Sequence, residues 1–561
     1  PGEDANLPGA WGFYGGYGYS GDGITISIID DGLQADHPDL QPNLDLGLSW
    51  DWCYDVSDPT PWGDNAHGTS AAGVAAAAGN NSLYGIGAAY DAMLAGHLLI
   101  ACSFSDAMSA GALSAHNNSI DIYSNSWGPS DDGQTLSGPG PLTVAAIENG
   151  AMYGRDGLGS IYVWAAGNGL ANNDNSNYDG YSNMRQTIAV TAVDHNGQQS
   201  WYAEPGANIL LAAPSSGDGV GVTTTDITGS AGYDDGNTTD TFGGTSSATP
   251  LVSGIIALML EANPGLTWRD VQHILVESAR KNDQNDSSWA ENGAGHLVSH
   301  KYGFGLVDAV AALEEVMGWD NVPEEHSVWT GMEQVNSTIP DNSTWTTFDI
   351  NVTGAPNHLE SVDVYVNISH SYRGDLYIAL ESPSGTISYL AEPRADSGSN
   401  YDYWRFGTVH NWGEEGDGTW TLWILDSYSG DQGTLEDWGM ELHGHFDNST
   451  GDDELGVWNS STFTLLYDGI ELDANSTTEP FLAPADHVMN VTAEGLTIGE
   501  NYSIYISWET CSDAECIWDE LDSNFTATGG NETFTFSLGT DIYTCSVSIF
   551  VDMSENHDGS W

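Results

Sequence analysis

Four short stretches place reactive side chains where the chain changes direction. IIDDG sets Asp30 at the end of the apolar run Ile24–Asp30, and NAHGTSAAG sets His67 at the head of a small-residue helix. GGTSSATP sets Ser246 behind two glycines that permit a tight turn, and AAGNG sets Asn168 just past a second apolar run. A hydroxyl is a poor nucleophile until an imidazole takes its proton, and an ionised carboxylate orients that imidazole. The carboxamide of Asn168, with the backbone N–H of Ser246, could hold the oxyanion of a tetrahedral intermediate, a contribution of roughly 3 kcal/mol. Singly, these motifs read as turns and helix caps. Together, each at a strand or helix end, they point to acyl transfer.

A second constellation lies in SNSWGPSDDG, where Asp131 and Asp132 stand side by side in a Gly/Pro-rich loop. Adjacent carboxylates repel unless water, a metal or a cationic ligand offsets them. The whole chain is acidic, with 80 Asp+Glu against 9 Lys+Arg and a net charge of -71 over 561 residues. Such a field repels nucleic acid and anionic lipid and attracts cations and basic peptides, so no nucleic-acid partner is expected. It also suits salty surroundings that screen self-repulsion.

The elements that must hold these residues change style along the chain. ITISIID, IDIYSNSW, SIYVWAAGN and TIAVTAV are strand-like runs separated by helical segments such as HGTSAAGVAAAA and SSATPLVSGIIALMLEA. That alternation predicts a parallel α/β sheet covered on both faces. WDNVPEEHS reads as a linker, after which SVDVYVNIS puts Val362, Val364, Val366 and Ile368 on one face of a strand. A β-sandwich or jelly roll is expected to about Asp447, and beyond DNSTGDDE a third β region carries ETFTFSL and CSVSIFVD. The expected domains are therefore 1–322, 323–447 and 448–561. The five cysteines are too few for a disulfide scaffold; Cys511 and Cys516 could clip a local loop, and one of the five must stay unpaired in a monomer. With N-x-S/T sequons and no run of membrane-spanning length, a processed, secreted or cell-surface protein is expected, acting as a monomer.

DDG…HPDL, HGTSAAG, SWGPSDDG, GSIYVWAAGNG, DGYSN, WYAE, GGTSSATPLVSGIIALMLEANPGLTWRDVQHI and VSHKYGFGLVDA resemble the kexin/furin branch of the subtilases from Asp4 to about Trp319. HLESVDVYVNISHSYRGDLYIALESPSGT and GTLEDWGMELHG resemble the P domain that accompanies those proteases. The resemblance implies an α/β subtilisin-like domain with a parallel sheet, a β-sandwich P domain and a further small β-rich domain. It implies a calcium-dependent serine endopeptidase that cuts after paired basic residues and is released from its own propeptide. The triad falls on Asp30, His67 and Ser246, with Asn168 as oxyanion partner. The acids that read a P1 arginine fall on Asp131 and Asp179, those facing the P2 residue on Asp31 and Asp64, and substrate backbone lies along Ser124–Gly128, with Ser126 and Gly128 in contact. One calcium site maps to Asp131, Asp174 and Glu204. Another maps to Asp39 and Asn81 with the carbonyls of Ala78, Leu83 and Gly85, and a third falls loosely among Asp51, Asp55 and Asp58.

Departures from the pattern carry their own expectations. The acids that favour a P4 arginine fall on Ser109 and Ser137, so little P4 selection is expected. An upstream aspartate of the second calcium site and the family's disulfides have no counterpart here. Arg373-Gly-Asp375 reads as turn chemistry, not adhesion, and the His296/His300 pair has no third ligand for zinc. Competing readings are a broad degradative subtilase and an attachment protein with a vestigial protease domain.

Overall fold

The computed structural model describes residues 3–12, 18–341 and 343–446, together with the strands between 463 and 552. Seven parallel strands form the first sheet: β1 (Thr25–Asp30), β2 (Trp50–Asp51), β3 (Met93–Leu98), β4 (Ile122–Asn125), β5 (Ile161–Ala165), β6 (Thr187–Val193) and β7 (Ile209–Pro214). Their order is β2-β3-β1-β4-β5-β6-β7, so the winding direction reverses between β1 and β4. Such a switch point opens a crevice at the carboxyl ends of the two strands, and Asp30 lies there as the last residue of β1.

The helices are α1 (Leu7–Ala10), α2 (His67–Ala76), α3 (Asp106–Ser114), α4 (Pro141–Tyr153), α5 (Thr245–Ala262), α6 (Trp268–Ser278) and α7 (Ala309–Val316). They cover both faces, which explains why β1 is buried along its whole length. Ile26 and Ile28 join Ala72 and Ala75 of α2 and Ile256 of α5 in one core, while Ile29 joins Leu113 of α3 and Ile147 of α4 in the other. Small residues let α2 approach closely: a Cβ at Gly68 would lie 2.3 Å from the Gly32 carbonyl oxygen and 2.7 Å from Asp30 Cβ. α5 is long and apolar enough to cross a membrane, yet 83% of it is buried inside this core. The antiparallel hairpin β8 (Val222–Gly229) and β9 (Gly236–Phe242) leads into α5. A disulfide joins Cys53 to Cys102.

After the small hairpin β10 (Trp289–Glu291) and β11 (Leu297–Ser299), the chain becomes a β-sandwich of two antiparallel sheets. One contains β12 (His326–Trp329), β13 (Glu333–Ile339), β15 (His358–Ser369), β18 (Tyr401–Thr408) and β20 (Gly433–His445). The other contains β14 (Thr346–Val352), β16 (Leu376–Glu381), β17 (Ile387–Ala391) and β19 (Gly418–Asp426). Val362, Val364, Val366 and Ile368 are fully buried between the sheets, as the period-two alternation predicts. This sandwich and the α/β domain form one compact unit that ends at Asn448. Their seam buries Glu360, which accepts hydrogen bonds from Arg269 (2.8 Å to Nε), His273 (3.0 Å) and His445 (2.8 Å). The second unit, from Ser449, contains antiparallel strands, among them Asn501–Cys511 paired with Cys516–Thr526; the expected Cys511–Cys516 clip and the spacer before it lie outside the residues whose side chains are described.

Candidate active site

At the sheet's switch point the four reactive residues of the sequence fall into two bonded sets, Asp30 with His67, and Asn168 with the turn that carries Ser246. Asp30 is 1% exposed, and both of its oxygens meet His67 Nδ1, at 2.9 and 3.0 Å. His67 opens α2, and its ring packs edge-on against Phe242 at the end of β9. Burial alone would depress the imidazolium, but the Asp30 charge and hydrogen bond, with Asp31 behind them, push it up to about 9. Ser246 lies in the first turn of α5, and its hydroxyl donates to the Ser126 carbonyl at 3.3 Å. Ser126 returns a bond from its own hydroxyl to the Ser246 carbonyl at 3.0 Å, which ties the end of β4 to the nucleophile.

Asn168 is aimed by a residue that sequence reasoning missed. Its Oδ1 accepts from the Thr245 N–H (2.8 Å) and hydroxyl (3.1 Å), which leaves Nδ2 as the donor; here Nδ2 reaches Asp131 Oδ2 at 3.4 Å. Gly244, at φ +75°, makes the turn that presents both groups, and a Cβ there would come within 3.1 Å of Asn168 Oδ1. The GGTS motif could have suggested the turn; nothing local could have named Asn168 as its partner.

Asp131, Asp174, Asp179 and Glu204 converge beneath this centre. Asp131 is open to solvent at its rim but enclosed on its inner side, where it accepts the Asn168 N–H at 3.1 Å. Burial lifts its pKa, and it lifts those of Asp174 and Glu204 too, the latter well above the carboxylate range with Asp174 and Asp131 adding repulsion. Asp179 is pushed up to about 8 by burial and by Asp131 and Asp174. Glycines make room for these groups. A Cβ at Gly128 would lie 2.6 Å from Asp179 Oδ2, and one at Gly167 would lie 2.4 Å from the Glu204 carboxylate. Burial raises every one of these acids, and repulsion within the set adds to it for Glu204 and Asp179, whereas Asp174 also pairs with Arg394 at 2.7 Å; hard oxygen donors so gathered suit a divalent cation such as calcium. Asp132, by contrast, only shapes its loop, accepting the N–H groups of Gln134 and Thr135.

Asp31 sits against the triad, but its oxygens take the N–H groups of His67 (3.2 Å) and Gly68 (2.8 Å) and so cap α2; burial and Asp30 push it up to about 7. Asp64 is exposed three residues before His67. The second predicted metal set is contiguous in space. Asp39 is fully buried and accepts from Asn81 Nδ2 (2.5 Å) and the Gly85 N–H (3.2 Å); its carbonyl takes the Ala78 N–H (2.8 Å), and Asn81 Oδ1 takes that of Leu83 (2.9 Å). No Lys or Arg pairs with Asp39 among the described residues. The loose third set does not converge through its carboxylates: Asp51 serves the N–H groups of Cys53 and Tyr54, and Asp58 serves Thr60. Arg373 of the RGD tripeptide donates to Asp396 at 2.7 Å in a turn that opens β16. His300 bonds Glu392, whereas His296 turns toward Glu277.

Residues 21–305 match the Subtilase family, and residues 359–442 match the Proprotein convertase P-domain. The chain belongs to the subtilases. This subtilase is 43% identical over 461 residues to proprotein convertase subtilisin/kexin type 6 of Rattus norvegicus, covering 79% of this chain and 48% of that protein. It is 39% identical over 478 residues to endoprotease bli-4 of Caenorhabditis elegans, covering 81% and 49%. It thus spans about half the length of these curated relatives. Among solved structures, the serine protease of Aeromonas sobria in complex with its chaperone superposes with a TM-score of 0.69 at 25% identity, over 80% of this chain and 96% of that one.

Proposed function

We propose that this subtilase is a calcium-dependent serine endopeptidase that cleaves protein precursors after paired basic residues, Lys-Arg or Arg-Arg. One observation carries the reading: the carboxylates of Asp131, open to solvent at its rim, and of half-buried Asp179 lie close enough to repel each other, and Asp131 bonds Asn168 next to Thr245 and Ser246, which offers the paired acceptors a guanidinium requires. Ser246 Oγ swings from the Ser126 carbonyl toward His67 and attacks the scissile carbonyl carbon as His67 takes its proton. Asp30 holds the ring in the tautomer that can accept and stabilises the imidazolium. Asn168 Nδ2 and the Ser246 N–H stabilise the oxyanion. Collapse expels the amine with the proton from His67, and a water then hydrolyses the acyl-enzyme.

Asp131, Asp174 and Glu204 would hold one calcium ion and the Asp39–Asn81 loop another; the ion supplies fixed positive charge against carboxylate repulsion. Asp31 and Asp64 add negative charge on the side of the P2 residue, and the serines at 109 and 137 leave P4 unselected. Secretion, release of a propeptide and action as a monomer accompany this reading. Fluorogenic peptides ending in Lys-Arg or Arg-Arg are expected to be cleaved far faster than peptides ending in Phe or Leu, with activity lost in EDTA. Equal rates would return the protein to the broad degradative class.

A further inference from the structure

The recognition loop from Asp174 to Gly180 rests on the β-sandwich almost residue by residue. Arg394 Nη1 donates to Asp174 Oδ1 at 2.7 Å, and Asn175 Nδ2 donates to Glu392 at 3.3 Å. Asn177 exchanges two hydrogen bonds with the backbone of Gly407, at 3.0 and 2.8 Å. The Tyr178 hydroxyl donates to the Glu392 carbonyl (2.8 Å) and accepts its N–H (2.9 Å), while the Gly180 carbonyl accepts from Arg405 at 3.2 Å. Asp179 turns the other way, with its Oδ2 where a side chain on Gly128 would be. The sandwich thus holds one side of this loop, and the other side presents the acid.

Arg394 is the charged member of that grip. Its side chain is 0% exposed, its fork spans Asp174 and Asp396 (2.7 and 2.9 Å), and its guanidinium carbon lies 3.6 Å from the centroid of the Tyr178 ring. The chain has only 9 Lys+Arg, and burying one costs several kcal/mol unless its hydrogen bonds and partner charges offset that cost. Two carboxylates and an aromatic face work against that cost, with Nη1 and Nη2 bonded and Nε left without a hydrogen-bond partner.

We infer that Arg394 of the P domain is a specificity-positioning residue: by clamping Asp174 and Tyr178 it fixes the 174–180 loop so that Asp179 reads a basic P1 side chain. The P domain is then part of the recognition pocket as well as of the folded unit. The inference rests on the basic-residue reading proposed above. Misplacing an acceptor by about 1 Å costs on the order of 100-fold, which sets the scale of the effect.

The test uses the full chain with Arg394→Met, which keeps an apolar stem over Tyr178 but has no charge, and Arg394→Lys, which keeps the charge but not the fork. Peptides ending in Lys-Arg and Lys-citrulline are compared by kcat and KM. On a Ser246→Ala background, their equilibrium affinities are compared by fluorescence anisotropy, with thermal unfolding as the fold control. We expect Arg394→Met to lose at least 10-fold of the arginine-over-citrulline discrimination, chiefly through KM and Kd, and Arg394→Lys to recover part of it. Unchanged discrimination in a folded Met variant, or equal losses for both peptides, overturns the inference. If wild type itself does not prefer arginine, the basic-residue reading fails and the inference falls with it. If the Met variant does not fold, Tyr178→Phe, which removes both bonds to Glu392, decides by the same ratio.

Discussion

Replacing Asp30 by asparagine tests the centre with almost no change of shape. The Asp30 carboxylate is 1% exposed, meets His67 Nδ1 with both oxygens and accepts the Asp31 N–H at 2.7 Å. An amide there can turn its NH2 toward Nδ1, which makes Nδ1 an acceptor and leaves Nε2 protonated, the wrong tautomer for a base. In a serine-protease triad that swap costs on the order of 10⁴ in kcat, about 5.4 kcal/mol of barrier. The pH profile supplies a second readout. Asp30 is the main reason His67 rises from 6.5 to about 9, so wild-type kcat/KM should climb with pH along an acid limb above 6.5. Without the carboxylate, desolvation dominates and the limb should fall below 6.5. Stability follows the same shift. The raised histidine pKa contributes stability that is fully present below 6.5 and lost as pH rises through about 9, and the variant should lack that slope. Rates on a Lys-Arg fluorogenic peptide from pH 5 to 10, with thermal unfolding alongside, measure all three. A folded variant that loses less than about 100-fold in kcat, or keeps its acid limb in place, refutes the assigned role of Asp30.

Other perturbations follow from the same geometry. Gly128→Ala places a methyl 2.6 Å from Asp179 Oδ2, so KM for arginine-ending peptides should rise at least 10-fold while unfolding stays near wild type; unchanged KM would remove Asp179 from the pocket. Glu360→Gln removes the negative charge and one of the two acceptor oxygens that buried Arg269, His273 and His445 share, and should cost about 3–5 kcal/mol in urea unfolding, against which a loss under about 1 kcal/mol would count. If Asp131, Asp174 and Glu204 hold the proposed ion, with Arg394 offsetting only part of the Asp174 charge, chelation should lower the melting temperature and Asp174→Asn should shrink the gap between melts with and without calcium. Superimposable wild-type melts would exclude a structural ion.

The architecture was legible before the fold, and the candidate reactive residues could be named there, because both rest on local signals. Apolar runs alternating with helices specify a parallel sheet buried on both faces, and period-two Val362–Ile368 specifies a sandwich strand. Asp30, His67 and Ser246 each sit at an element end that a glycine or a strand terminus marks. Motif resemblance carried the distant pairings of acids, and the structure does gather Asp131, Asp174, Asp179 and Glu204 in one place. How those acids are held is visible only in three dimensions. Thr245 aiming Asn168, Gly128 vacating space for Asp179, and Arg394 closing on Asp174 from 220 residues away leave no periodicity or spacing to read. The same limit explains Asp31, which looks in sequence like a free neighbour of the triad and in space also caps a helix. A side chain's type is local, whereas its hydrogen-bond partners and the repulsion it feels depend on which distant segments fold against it.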